Sequence, residues 1–263
     1  MTKSKIISTL LGFTLVVICF LPILKSGLYS DDLHNFQLRA CNQSQSFLQL
    51  AQSEIVYWKA AGRYTPLSFY WMEFVYKYFT SIASYKFLIF CINILAVGVF
   101  LIYLSKLKLH FNHGIWLVCF SAVIQFRITY HDAYTSLNGM YQLLAILVFS
   151  SLIFYTTYLT HRKLWMLAMS VLFFISGILF SEVGLLVLLL IPVSAIIYSI
   201  SFKDFLKTYT PFVCMAFIYL GYTAWLRMHV SPTLVYSGLS TNINLGTMLT
   251  LMFKHLFLSL IHI

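Results

Sequence analysis

The chain has 263 residues, of which 60% are hydrophobic and only 9% are charged, with a formal net charge of +10. Soluble domains carry about 25% charged residues, so this composition excludes an ordinary soluble protein and predicts a polytopic bundle of transmembrane α-helices. The positive residues form short clusters between apolar runs, which is typical of membrane topology signals and does not indicate a nucleic-acid partner. The five cysteines lack CxxC spacing, so neither a disulfide framework nor a zinc site is predicted.

Apolar runs long enough to cross a membrane recur along the chain. The first, residues 6–24, is too long for the core of a signal peptide and has no cleavage site after it, so we interpret it as an uncleaved span. Five more candidates lie at residues 87–104, 137–159, 164–180, 183–201 and 209–226, and two weaker ones at 114–126 and 245–263. The last of these either spans the membrane or lies in its interface. We therefore predict an all-α fold with seven or eight spans and treat residues 1–263 as one transmembrane domain.

Lysine and arginine are distributed unequally between the loops, and this bias predicts the orientation of the chain in the plasma membrane. With the N-terminus in the cytoplasm, the inner segments hold eight of these residues and the short outer loops hold two, Arg127 and Arg227. The long loop of residues 25–86 is then outside. All the acidic residues except Asp204 also fall on the outer side: Asp31, Asp32, Glu54, Glu73, Asp132 and Glu182. The outer face is therefore predicted to carry the functional site.

The long outer loop is predicted to contain two helices on the membrane surface. Apolar residues recur with helical spacing from Phe47 to Trp58, as in an amphipathic surface helix. Thr65 followed by Pro66 predicts the N-cap and the first residue of a second helix. The many aromatic residues of this second helix suit the headgroup level of a bilayer.

Two adjacent carboxylates, Asp31 and Asp32, follow the first apolar run. Acidic residues close to a membrane are costly and often functional. Such a pair suits a general base with an orienting partner, or the oxygen ligands of a divalent cation. The alternative is a solvated pair at the end of the span. His34 and Arg63 in the same loop favour the functional interpretation.

Arg63 follows Gly62 between the two predicted helices and is a candidate for binding phosphate, because a guanidinium group can donate to two oxygens at once. The alternative is an anchor to lipid headgroups. A second outer segment carries Arg127, His131 and Asp132. This segment is consistent with a phosphate clamp, with a further metal ligand, or with an ordinary polar loop.

Glu182 is an isolated acid between two predicted spans, which makes it a candidate for function. The alternative is a structural role at the start of a helix. Ser181 is a suitable N-cap, and an acid in the first turn interacts favourably with the helix dipole.

One span followed by Asp31 and Asp32 and by a loop with two surface helices resembles the GT-C superfamily of membrane glycosyltransferases, which use polyprenyl-phosphate-linked sugars. The acidic pair matches the first-loop motif of that family. The segment from Gly62 to Leu67 is similar to a Gly-Arg stretch of some bacterial members. Residues 181–185 resemble a later segment of the family, although Ser181 occupies the place where a lysine often precedes the glutamate. The resemblance covers roughly residues 6–192.

The resemblance implies transfer of a sugar on the outer face, with inversion, to a cell-envelope glycan, lipid or protein. Asp31 or Asp32 would take the proton of the acceptor hydroxyl, and Asp31 is favoured because it is nearer the span. The substrate-binding residues would be His34, Arg63, Arg127, His131, Asp132 and Glu182. A divalent cation, Mg²⁺ or Mn²⁺, is used by some members, and its ligands here would be Asp31, Asp32 and Asp132.

The partners implied are the lipid-linked donor and membrane lipids. A rival interpretation is a non-catalytic protein of the same fold or a carrier of lipid-linked glycans. The sequence identifies neither the sugar nor the oligomeric state.

Overall fold

The computed structural model describes residues 3–28, 31–41, 44–107, 114–115, 117–118 and 137–229. The regular structure in these ranges is helical, as predicted. The α-helices are α1 Lys3–Phe20, α2 Asp31–Cys41, α3 Phe47–Ala60, α4 Pro66–Tyr78, α5 Ile82–Lys106, α6 Met140–His161, α7 Leu164–Phe180, α8 Val187–Ile197 and α9 Phe202–Met228. Short 3-10 segments follow α1 (Leu21–Lys25), precede α6 (Leu137–Gly139) and join α7 to α8 (Glu182–Leu186).

Four helical segments within the described residues are long and apolar enough to cross a membrane: Ile6–Lys25, Ile82–Lys106, Met140–His161 and Phe202–Met228. Their length and composition support the predicted class of helical membrane protein. The seven or eight predicted spans are not confirmed, because α7 and the segment Glu182–Ile197 are apolar but shorter. The candidate at residues 245–263 lies outside the described residues, as does most of the candidate at 114–126.

Serine side chains begin three of the helices. Ser46 and Gln49 form a reciprocal capping box at α3: Ser46 Oγ accepts from the Gln49 backbone N–H at 3.3 Å, and Gln49 Oε1 accepts from the Ser46 N–H at 2.9 Å. Ser81 caps α5 by accepting from the Ser84 backbone N–H, and Ser201 caps α9 by accepting from the Asp204 backbone N–H. A cap of this kind contributes about 1 kcal/mol to the stability of a helix.

The start of α4 differs from these serine-capped helices. Pro66 is the first residue of the helix, as expected, but the Thr65 side chain makes no capping hydrogen bond. Ser68 Oγ instead donates to the Thr65 carbonyl oxygen at 2.7 Å and lies 3.1 Å from Thr65 Oγ1. Thr65 is buried at this point, so its hydroxyl is satisfied by a neighbouring side chain of the first turn.

Two buried clusters hold the helices together, and α4 packs against both. The larger cluster is built mainly from α6 to α9, and Leu67 of α4 packs against it. The smaller cluster is built mainly from α1 and α5, and it includes Val75 and Tyr76 of α4. Trp71, between these positions, packs against both clusters. The two ends of α4 therefore lie in different parts of the bundle.

Hydrogen bonds between serines tie α6 to α7. Ser151 Oγ donates to the Ser170 carbonyl oxygen at 2.8 Å, and Ser170 Oγ donates to the Ser151 carbonyl oxygen at 2.7 Å. Both residues are fully buried. Small hydroxyl side chains allow two membrane helices to approach closely and to bond across the contact.

Contacts between loops show which loops lie at the same end of the bundle. At one end, Arg162 Nη2 lies 4.0 Å from Asp204 Oδ2, and Tyr198 Oη donates to the Lys106 carbonyl oxygen. These four residues are all on the side that the charge bias predicts to be cytoplasmic. The opposite end contains Arg63, described below, so the structure groups the loops as the charge bias does. Which end faces the cytoplasm stays a prediction.

Candidate functional site

The predicted site residues that the structure describes are found near opposite ends of α4. Asp32 contacts the C-terminal end through Tyr76, whereas Arg63 immediately precedes the N-terminal end and meets Glu182 there. The helix rises about 15 Å between Pro66 and Tyr76, at 1.5 Å per residue. The two groups are therefore distinct, and we call them the acidic centre and the cationic turn.

The acidic centre is built around Asp32, which is fully buried. Tyr76 Oη of α4 donates a hydrogen bond to Asp32 Oδ1 at 2.9 Å, and Tyr85 Oη of α5 donates to the same oxygen at 2.6 Å. The interpretation of Asp32 as part of a solvated pair is therefore wrong. A carboxylate that accepts two hydroxyl donors is strongly stabilised, which allows the charge to be held inside the bundle.

Residues of α2 complete the surroundings of the two tyrosines. The Phe36 ring packs edge-to-face against Tyr76 and Tyr85, with centroids 5.1 Å and 5.2 Å away. Asn35 Nδ2 donates to Tyr76 Oη at 3.5 Å. Burial, and after it the negative charge of Asp32, raises the pKa of the Tyr76 hydroxyl. The hydroxyl therefore keeps its proton and remains a donor to Asp32.

The same centre reaches the start of α6. Tyr85 Oη accepts a hydrogen bond from the Asn138 backbone N–H at 2.9 Å, and Trp71 Nε1 donates to the Asn138 carbonyl oxygen at 2.9 Å. Tyr76 was predicted only as part of an aromatic membrane belt, and Tyr85 and Asn138 were not predicted to be functional. No local signal identifies them, because their partners are far away in the sequence.

Two more ionisable side chains, Glu73 and Lys86, are fully buried in this region. Glu73 lies one turn before Tyr76 on the same face of α4. Lys86 follows Tyr85, and its Nζ is 5.4 Å from the centroid of the Tyr85 ring. Lysine and glutamate are rarely buried completely unless they are paired. Three buried ionisable groups close to two tyrosines make this end of α4 a candidate for function.

The cationic turn is the segment Gly62–Tyr64 between α3 and α4. Gly62 has φ +81°, a conformation that glycine adopts without strain. Arg63 Nε lies 4.0 Å from Glu182 Oε1, and the two side chains are 38% and 36% exposed. An ion pair this long and exposed adds little stability. Its importance is that it leaves the Arg63 guanidinium accessible to a ligand.

Two cations that the sequence analysis did not select as site residues lie beside this turn. Arg227 Nε donates to the Gly62 carbonyl oxygen at 3.4 Å. Lys59 Nζ lies 5.9 Å from the centroid of the Tyr222 ring, which itself packs edge-to-face on Tyr64. Arg227 appeared in the sequence only as a topology signal. Its position at the turn depends on the packing of α9 against the rest of the bundle.

Glu182 begins the 3-10 segment that joins α7 to α8. Ser181 Oγ accepts from the Val183 backbone N–H at 3.4 Å, so the proposed capping role of Ser181 is confirmed. The segment is pressed against α7: a Cβ atom added at Gly184 would lie 2.5 Å from the Gly177 carbonyl carbon. This close contact determines where Glu182 lies relative to Arg63.

The remaining predicted residues are less informative. Asp31 is the first residue of α2, and its side chain lies outside the described part of the structure. His34 is exposed on α2. Arg127, His131 and Asp132 lie outside the described residues. Among the residues that the structure describes, no group of three or more His, Cys, Asp or Glu side chains is arranged to bind a metal ion.

Comparisons of the chain with protein-family models, with curated proteins and with solved structures found no match. The function is therefore inferred from the geometry of the acidic centre and the cationic turn.

Proposed function

We propose that the protein is a membrane glycosyltransferase, which moves a sugar from a polyprenyl-phosphate donor to a cell-envelope glycan, lipid or protein. The observation that carries the proposal is the cationic turn, where Arg63 lies 4.0 Å from the acid Glu182 and where Arg227 and Lys59 bring two further positive charges to the same end of α4. An exposed arginine with two further cations suits a lipid-linked phosphate. The candidate base Asp31 is the first residue of α2, and the next residue, Asp32, joins α2 to the other end of α4 through Tyr76.

The positive charges at the cationic turn stabilise the negative charge that develops on the leaving phosphate during transfer. The donor is a phosphodiester with one negative charge. When the bond from the anomeric carbon to the phosphate oxygen breaks, the lipid phosphate that leaves gains a second charge. Cations that are fixed beside it stabilise the transition state more than the bound donor, which is the condition for faster chemistry.

Asp31 is the general base in this proposal. The acceptor oxygen forms its bond to the anomeric carbon, and its proton passes to the Asp31 carboxylate. Asp32 does not suit this role, because it is fully buried and its Oδ1 already accepts two hydroxyl groups. A general base must come within hydrogen-bond reach of the acceptor. The donor phosphate then lies at the cationic turn, and the acceptor approaches the anomeric carbon beside it from the side of α2.

The burial of Asp32 also bears on the predicted metal ligands. Its carboxylate is engaged by Tyr76 and Tyr85, which leaves Asp31 and Asp132 as the carboxylates for Mg²⁺ or Mn²⁺. The proton transfer described above needs no metal ion, and we assign none to it.

The direct test of the proposal is a transfer assay. Purified protein is incubated with a panel of radiolabelled polyprenyl-phosphate sugars and with membrane lipid, glycan and protein acceptors. Transfer of label from at least one donor, with release of the polyprenyl phosphate, supports the proposal. Binding of a donor without transfer favours the alternative, a non-catalytic protein or a carrier of lipid-linked glycans. The observation in favour of that alternative is the structural engagement of Asp32.

Replacement of Arg63 by Lys is expected to raise the KM for the donor about tenfold, because losing one charged hydrogen bond costs about 1.5 kcal/mol or more. A lysine keeps the positive charge but cannot donate to two phosphate oxygens in parallel. The matched control is Arg162→Lys, since Arg162 also lies 4.0 Å from an acid but at the opposite end of the bundle. Donor dependence that is unchanged in Arg63→Ala would reduce Arg63 to a headgroup anchor.

The proposed orientation has the N-terminus in the cytoplasm and both groups on the outer side of the plasma membrane. In a cysteine-free background, cysteines at the exposed positions Ser53 and Val183 should react with an impermeant maleimide in intact cells. Cysteines at Lys163 and Lys203, also exposed, should react only after permeabilisation. Labelling of the second pair in sealed cells would invert the orientation and remove the outer-face site.

A further inference from the structure

The hydroxyl group of Tyr85 joins three parts of the chain. It donates to Asp32 Oδ1 of α2 at 2.6 Å and accepts from the Asn138 backbone N–H at 2.9 Å. Tyr85 and Asp32 are fully buried, and Asn138 is nearly so. A tyrosine hydroxyl has a single proton, so it can donate to only one of these partners. Because an ionised carboxylate only accepts hydrogen bonds, Asp32 takes this proton and leaves a lone pair for Asn138.

Asn138 belongs to a left-handed turn. Its φ is +47°, and Gly139, directly before α6, has φ +69°. Non-glycine residues rarely adopt such angles, and the surrounding contacts must hold them there. Both backbone polar groups of Asn138 are bonded: the N–H to Tyr85 Oη, and the carbonyl oxygen to Trp71 Nε1 at 2.9 Å. The turn is therefore attached to α5 and α4 through its backbone.

We propose that Asp32 is a positioning residue that acts through Tyr85: it orients the Tyr85 hydroxyl, which in turn holds the left-handed Asn138 turn at the start of α6. Asp32 thus fixes α2, which begins at Asp31, against α4, α5 and α6. This proposal rests on the proposed function in one respect only, which is that Asp31 acts as the general base. The two adjacent acids then have different tasks, one in proton transfer and one in holding the helices in register.

The proposal can be tested without substrate through the Trp71 indole. The protein, in detergent micelles, carries ¹⁵N at the indole nitrogen of its five tryptophans, and Trp71→Phe identifies the Trp71 resonance. Tyr85→Phe removes the acceptor of the Asn138 N–H. This variant should shift or broaden the Trp71 resonance, because the Asn138 carbonyl is the acceptor of that indole proton. The other resonances should keep their positions.

Three variants complete the experiment. Tyr103→Phe is the matched control, since Tyr103 lies on the same helix, is also buried and shares one hydrogen bond, with Ser194 Oγ at 3.1 Å; it should leave the Trp71 resonance in place. Asp32→Asn keeps a carbonyl oxygen that accepts the Tyr85 proton, so it should also leave the Trp71 resonance in place. Asp32→Leu should reproduce the effect of Tyr85→Phe. An unmoved Trp71 resonance in Tyr85→Phe, or movement of all the resonances together, overturns the proposal.

The transfer assay separates this proposal from the proposed function. We expect Asp32→Asn to transfer sugar at close to the parent rate with an unchanged pH profile, because its task is acceptance of a hydrogen bond. Loss of transfer in Asp32→Asn with an unmoved Trp71 resonance would show that Asp32 acts by its charge, against the positioning role. A parent protein that transfers no sugar would refute the proposed function, while the Trp71 spectra would still decide the role of Asp32.

Discussion

Replacing Asp31 by Asn is expected to lower the rate of sugar transfer by about 10²- to 10⁴-fold, since general-base assistance contributes about 3–5 kcal/mol to lowering the barrier. Asparagine has the shape of aspartate but cannot take up the proton of the acceptor hydroxyl. The donor should bind as before, because the proposed site of its phosphate is the cationic turn and not α2. The measurement is the initial rate with a labelled donor at saturating concentration, together with the KM for that donor.

The control for this variant is Asp204→Asn. Asp204 is a half-exposed acid in the first turn of α9, at the opposite end of the bundle, and its partner is Arg162. Its replacement should leave the rate unchanged. If Asp31→Asn retained the parent rate while the protein transferred sugar, Asp31 would not be the base, and the proposed mechanism would have to be abandoned.

Replacing Gly184 by Ala is expected to lower the free energy of unfolding by about 1–3 kcal/mol, the usual cost of forcing an extra methyl group into a close-packed contact. The new Cβ would lie 2.5 Å from the carbonyl carbon and 2.7 Å from the carbonyl oxygen of Gly177. Backbone atoms of α7 cannot move aside as a flexible side chain can. The 3-10 segment must therefore shift away from α7 and carry Glu182 with it.

Two other glycines provide matched controls for the stability measurement. Gly98 in α5 and Gly221 in α9 have open space where a Cβ would be built, so Gly98→Ala and Gly221→Ala should not lower the midpoint of thermal unfolding in detergent. In Gly184→Ala, the displacement of Glu182 should also change the KM for the donor through Arg63. A midpoint equal to that of the parent would mean that the α7 contact is looser than the structure indicates.

The assignment of different tasks to Asp31 and Asp32 changes how the acidic pair is understood. In the sequence the two residues are equivalent, and Asp31 was favoured as base only for its closeness to the first span. In the structure Asp32 is enclosed by Tyr76, Tyr85 and Phe36, so the choice has a physical basis. The same enclosure predicts that the isosteric Asn is tolerated at position 32, whereas Leu, which accepts no hydrogen bond, releases the Tyr85 hydroxyl.

The helical class and the approximate positions of the helices could be predicted from the amino-acid sequence. This was feasible because the information is local: about 20 apolar residues in a row indicate a membrane helix wherever the rest of the chain lies. The run 87–104 lies within α5, and the helix predicted from Phe47 is α3. The predicted helix start at Pro66 was correct and Thr65 is its N-cap residue, but the Thr65 side chain makes no capping hydrogen bond, because its hydroxyl is buried beside Ser68.

Which residues come into contact depends on the folded structure and could not be predicted from the sequence. Arg63, Glu182 and Arg227 come from three distant segments, and only the contacts that α9 and the 3-10 segment make with the cationic turn bring them together. The burial of Asp32 and its bond to Tyr85 likewise depend on how α2 packs against α5. Burial and pairing are properties of neighbours in space, and spacing along one chain carries no record of them, so the acidic centre and the cationic turn were found only in the folded protein.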